Sequence, residues 1–347
     1  MRRFIAPIAI AAAVVLAGCS SSSGGDASES ASAAPPTVVI VSGLLAISPY
    51  TTPTEACKTG YAAGNTDTFI REQLLAAGFK VYTSPAMVGG GQVMDQPAEG
   101  GPFGDCPPQL PADLTVDPTV SPLTIGQTLA NFLRYLQADQ GVNEMHLVAH
   151  SMGGVFSRVA MAELKANGGP KIVSFATVGS PWEPVMIGDI DPGQDPSTAC
   201  DGNQSCLVFQ GAALASPTVV SEMLPFVQAP NFLTWTDQQA GVLDGIPVTL
   251  IGGTYFTKEG GSPRRWPNDA VVQIDQALAK SVSDAVLPIR SCLTLPDTHS
   301  LFVSAMEKQP DTTALTWDPR TTETLVAHIN AAAAGTAMEN RAGCPTP

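Results

Sequence analysis

Two hydrophobic rhythms alternate along the chain: unbroken β-branched runs, and stretches in which apolar side chains return every three or four positions. Thr37-Val-Val-Ile-Val41 is of the first kind, as a strand buried on both faces should be, and it ends at Ser42-Gly43-Leu44. Asn65 or Thr66 can cap a helix through Phe69, Ile70, Leu74 and Leu75 that stops at Gly78, with Phe79-Lys-Val-Tyr82 as the next strand. A Pro/Gly-rich excursion from Ser84 to Pro122 follows. Leu129, Phe132, Leu133 and Leu136 then recur at helical spacing and lead to Leu147-Val148-Ala149, a short strand, and to a helical pattern from Val155 to Ala166 closed by Gly168-Gly169. Lys171 to Val178 and Pro247 to Ile251 read as buried strands, each ending in glycine. An apolar stretch, Val286 to Leu293, precedes an amphipathic final helix, Thr321 to Ala334. Strands alternating with helices predict an α/β domain over 37–335, a mostly parallel sheet flanked by helices, with reactive groups at the carboxyl ends of the strands. Roughly 300 residues suffice to bury a large core.

One segment breaks the alternation. Between the last two buried strands, residues 182–245 form a long insertion whose first half is rich in Asp, Gly and Pro. Its second half carries Val219, Val220, Met223, Leu224, Phe226, Val227, Phe232, Leu233 and Trp235. Two readings are open: a cap or lid with an apolar inner face, or a small satellite core.

The ends change the picture. Arg2 and Arg3 precede an apolar run, Phe4 to Leu16, too short for a permanent span. Leu16-Ala17-Gly18-Cys19 then resembles a bacterial lipoprotein signal with its lipobox. The resemblance implies removal of residues 1–18 and lipidation of Cys19, hence a chain anchored to the outer face of the cell membrane. Residues 19–36, rich in Ser, Ala, Gly and Pro, read as a flexible tether. With Cys19 so assigned, six cysteines remain in an exported chain: Cys57, Cys106, Cys200, Cys206, Cys292 and Cys344. Fifteen pairings are open; proximity favours Cys57 with Cys106, Cys200 with Cys206, and Cys292 with Cys344, the last pinning the tail 336–347. A net charge of −14 argues against nucleic acid and against adhesion to anionic headgroups, leaving membrane association to the acyl anchor.

The chemistry centres on Ala149-His150-Ser151-Met152-Gly153. A serine on a sharp strand-to-helix turn projects its hydroxyl above the sheet, and small residues two before and two after it are needed because the backbones crowd there. Ala149 and Gly153 meet that need. With a strand before and a helix after, the segment resembles the nucleophile elbow of the α/β-hydrolase lipases and esterases, in the A-H-S-M-G variant of several bacterial lipases. A serine nucleophile needs an imidazole to take its proton and a carboxylate to orient that imidazole. His146 lies in the elbow strand, His150 is beside the serine, and His328 belongs to the final helix, which leaves His299, in the loop Leu295-Pro-Asp-Thr-His-Ser300. Asp269 is the expected acid, since Asn268-Asp-Ala-Val-Val272 resembles the D-G-x-V segment of many bacterial lipases, with Ala270 in place of the glycine; Asp244, Asp275 and Asp297 are worse placed. The expected oxyanion donors are the backbone N–H groups of Met152 and, by analogy, Leu44. Family members usually have His-Gly where this chain has Ser42-Gly43.

Gly89-Gly-Gly91 lacks the context of a phosphate loop, and Asp189, Asp191, Asp195 and Asp201 miss the EF-hand spacing, so no cofactor or metal is implied. The expectation is a serine hydrolase of carboxylic esters acting on a hydrophobic ester or lipid. Acyl transfer to a cell-envelope alcohol, or a silent hydrolase-fold binding lipoprotein, are the alternatives that fold does not separate.

Overall fold

In the computed structural model, residues 34–57, 64–93, 109–190, 195 and 197–346 are described. The signal segment, residues 19–33 of the tether with Cys19, Cys106 and Asp191 lie outside them.

Six strands, β1 (Thr37–Val41), β2 (Lys80–Thr83), β3 (Glu144–His150), β4 (Lys171–Val178), β5 (Val248–Gly253) and β6 (Arg290–Leu295), form one sheet in the order β2-β1-β3-β4-β5-β6. Every neighbouring pair is parallel. Alternate side chains serve different cores, as the period of two requires. Val39, Val41, Leu147 and Leu250 face the helices α2 (Pro122–Gln140) and α3 (Gly153–Asn167). Val38, Ile40, Val148 and Ile251 face α1 (Gly64–Ala76) and α8 (Pro319–Ala333), through Ile70, Leu74, Leu325 and Ile329. A parallel sheet covered on both faces is the α/β class expected, the architecture of the α/β-hydrolase fold.

Boundaries moved by a residue or more where local chemistry overrides periodicity. α1 begins at Gly64, so Asn65 and Thr66 lie within its first turn. α8 starts earlier than expected because Asp318 caps it, accepting from the Arg320 amide, and Pro319 fits the first helical position. Within the apolar stretch after Pro247, Val286 and Leu287 are buried but precede β6.

The strand order reverses direction between β1 and β3, and at such a switch point the carboxyl ends of neighbouring strands open a crevice. The segment after β4 covers it. It contains α4 (Ser197–Cys200), α5 (Gln204–Leu214), one π-helical turn at Val219–Met223, α6 (Leu224–Val227) and α7 (Ala229–Asp237). Val219, Met223, Leu224, Val227, Phe232 and Trp235 belong to the same apolar cluster as the sheet, while Met186, Cys200 and Cys206 form a small cluster of their own. Arg158 of α3 fastens it. Its guanidinium is buried between Trp182 and Trp235, 4.5 and 4.3 Å from the ring centroids, and burial lowers its pKa to about 9. Phe226, Phe232 and Trp235 pack edge-on around the same point.

Cys200–Cys206 and Cys292–Cys344 are bonded, the pairs that proximity favoured; Cys57 is also in a disulfide. The acidic loop residues are ordinary surface partners: Asp189 meets Arg265, and Asp201 meets Lys258 and the Trp266 indole.

Candidate active site

Ser151 sits between β3 and α3 with φ +56°, the left-handed backbone of a tight elbow. A Cβ on Gly153 would stand 2.5 Å from the Val41 carbonyl oxygen and 2.7 Å from that of Ser42; one on Gly43 would stand 2.5 Å from Ser151 Cβ. Only glycine at both positions lets the end of β1 lie against the elbow.

His299 and Asp269 reach Ser151 from the ends of β6 and β5. The Ser151 hydroxyl is 2.9 Å from His299 Nε2, and His299 Nδ1 is 2.8 Å from Asp269 Oδ2. The acid therefore fixes the tautomer: Nδ1–H donates to the carboxylate and leaves Nε2 to accept from the hydroxyl. Asp269 Oδ1 is used as well, accepting the amides of Val271 at 2.9 Å and Val272 at 2.7 Å. The His299 amide donates to the Asp269 carbonyl at 2.8 Å, which ties the two loops together. Serine, imidazole and carboxylate are each 5% exposed or less. Ala270 carries φ +94°, the conformation for which the glycine of the D-G-x-V pattern is suited. Asp297, set aside in the sequence, faces Asp318 and Arg320; burial and the neighbouring Asp318 raise its carboxyl to about 8.

Ser42 stands where the pattern it resembles usually has histidine, and its hydroxyl donates to Asp67 of α1. His150 joins the same group: its Nε2 contacts the His299 carbonyl at 3.1 Å, and the two rings lie 4.8 Å apart. Although Asp67 Oδ1 is 4.0 Å from His150 Nδ1, burial and the adjacent His299 lower the His150 pKa to about 3, so the ring is neutral and the contact is not an ion pair. Asp67 thus holds Ser42, at the start of the loop that carries Leu44. Nothing in the sequence marked it, since it is one acidic residue in the first turn of an ordinary helix.

No protein-family model matches the chain, and neither does any curated sequence. Solved structures do. The Bacillus licheniformis lipase BlEst2 in its propeptide form is 16% identical over 89% of this chain, with a TM-score of 0.49; the chain spans 52% of that protein's length. The mature form is 14% identical, over 85% of this chain and 93% of that one, with a TM-score of 0.47. A thermostable carboxyl esterase from Bacillus coagulans is 13% identical over 85% of this chain and 89% of its own, at a TM-score of 0.45.

Two spaces adjoin Ser151. One is the more enclosed, a narrow space of about 20 Å³ bounded by Leu44, Met152, Val185, Phe209, Met223 and Val227. The other is an open groove along Leu45, Val208, His299, Phe302 and Met306. Val208, Phe302 and Met306 are exposed at its rim. Leu44 and Met152, whose amides were the expected oxyanion donors, both border the enclosed space beside Ser151. Among the described residues, no group of three His, Cys, Asp or Glu side chains could share a metal ion.

Proposed function

We propose that this chain is a serine hydrolase of carboxylic esters, with Ser151 as nucleophile, His299 as general base and acid, and Asp269 as the residue that orients it. The observation that carries this reading is the unbroken hydrogen-bonded line from Ser151 through His299 to Asp269 on a left-handed elbow, opening on an apolar pocket. Ser151 Oγ attacks the ester carbonyl as its proton passes to His299 Nε2, and the oxyanion that forms lies against the amides of Met152 and Leu44. The C–O bond breaks as His299 returns the proton to the leaving alkoxide. Water then repeats the sequence on the acyl-serine and frees the acid.

The two spaces divide the substrate between them. The acyl group must stay bound while the alcohol departs and water enters, which suits the enclosed pocket to the acyl group and the open groove to the alcohol. Apolar lining favours a hydrophobic acyl chain, each buried methylene contributing up to about 0.8 kcal/mol. Disulfide bonds fit an exported protein, and Leu16-Ala17-Gly18-Cys19 supplies the anchor in this reading.

A fluorophosphonate probe tests the reading directly. Labelling is expected at Ser151 and absent in Ser151→Ala, with ester turnover rising over the first several acyl carbons. An unlabelled Ser151 in folded protein would remove the assignment. Mass spectrometry of the exported protein checks the anchor, which fails should the mature chain start at an unmodified residue other than Cys19.

A further inference from the structure

Gln210 is out of place in the enclosed pocket. Apart from Ser151, the other side chains that bound this space are apolar. Gln210 stands on α5 next to Phe209, is 1% exposed, and its Oε1 is buried with no hydrogen-bond partner. No protein group meets that amide oxygen among the described residues, whereas a leucine there would suit an alkyl chain better. The deficit closes when the bound molecule brings a donor.

The geometry points to Gln210 as a specificity-determining residue of the acyl pocket, which takes acyl groups bearing a hydroxyl that donates to Gln210 Oε1. The inference rests on the reading of Ser151 as nucleophile and of the enclosed space as the acyl site. Other polar substituents fit less well. A carboxylate would face an acceptor oxygen. An ammonium would need a counter-charge that no side chain here supplies. A site built to hydrogen-bond a substrate hydroxyl discriminates strongly against the analogue that lacks it, because the polar group of the site is then stranded.

The test is a ratio. Matched esters with a hydroxyl at successive acyl carbons, and their deoxy counterparts, are assayed with the wild-type protein and with Gln210→Leu. For at least one hydroxyl position, wild-type kcat/KM should exceed that of the deoxy ester by about tenfold or more, and Gln210→Leu should bring the ratio to about one or below. Should the leucine variant lack a cooperative melt, Gln210→Met, closer in length, takes its place. A wild-type ratio near one at every position overturns the assignment, and so does a preference that survives the substitution. Fluorophosphonate labelling of Ser151 in the same samples separates the two levels: labelling with a flat ratio removes only Gln210, whereas failure to label removes the nucleophile and this inference with it.

Discussion

The line from Ser151 to Asp269 and the helical cover treat buried polar atoms in opposite ways. At the strand ends Ser151, His299 and both carboxylate oxygens of Asp269 all have partners. Where the cover meets the domain, Gln210 Oε1, Gln239 Oε1 and two nitrogens of Arg158 are buried without any. Directional bonds fix the first region to within tenths of an ångström, while apolar packing and ring contacts hold the second without fixing direction. Chemistry can therefore stay constant on the sheet while substrate choice is altered on the cover.

The largest test removes a member of the line. Ser151→Ala and His299→Ala should each lower ester turnover by at least roughly 10³-fold with the thermal midpoint preserved. Asp269→Asn should lose about 10²-fold or more, because the new amide N–H would confront His299 Nδ1–H and force the wrong tautomer. Near-normal turnover in any of the three would break the contrast.

Next comes the backbone that shapes the elbow. Gly153→Ala pushes a methyl against the carbonyls of Val41 and Ser42, so it should cost about 1–3 kcal/mol in urea unfolding and reduce turnover as well. Met223→Ala on the cover should instead move the acyl-length optimum upward by about one or two carbons, since it widens the enclosed pocket. A Met223 variant with an unaltered length profile would exclude the cover from substrate choice.

The disulfides sharpen the comparison in stability. Cys292–Cys344 spans 52 positions and Cys200–Cys206 only 6. On chain-entropy grounds, Ser substitutions should cost about 4 kcal/mol at the first and about 2 kcal/mol at the second. Equal losses in denaturant titrations would contradict this order.

The smallest effect is in pH. Burial lowers His146 and His328 to about 4, as it lowers His150 to about 3, so all three fold neutral. A pKa depressed on folding gives stability that is present above the unfolded value near 6.5 and lost as pH falls towards the folded one. Asp297, raised to about 8, acts in the opposite sense over this range. His328→Gln should therefore remove one proton from the slope, about 1.4 kcal/mol per pH unit between roughly pH 6 and 4.5, measured by unfolding titrations. An unchanged slope would mean that His328 is protonated in the folded chain.

What could be read from the sequence follows the same division. Strand patterns, the elbow glycine, the scarcity of histidine and the D-x-x-V spacing belong to the sheet and its loops, where a residue type is tied to one geometric task. The cover gave only an apolar tally, compatible with two packings, because leucine and valine carry no mark of which surface they touch. Asp67 was missed for lack of any local signal. Gln210 left one: a lone glutamine among Leu207, Val208, Phe209, Ala212 and Ala213.

The clamp around Arg158 makes the cover visible to light. Of four tryptophans, the two that enclose this cation, Trp182 and Trp235, are the two that are buried. Should the cover lift from α3 while the sheet stays folded, the cation leaves at least one indole and water reaches it. Emission would then shift to longer wavelength without loss of far-ultraviolet ellipticity. The chain thus carries an intrinsic optical reporter of cover opening, separate from global unfolding.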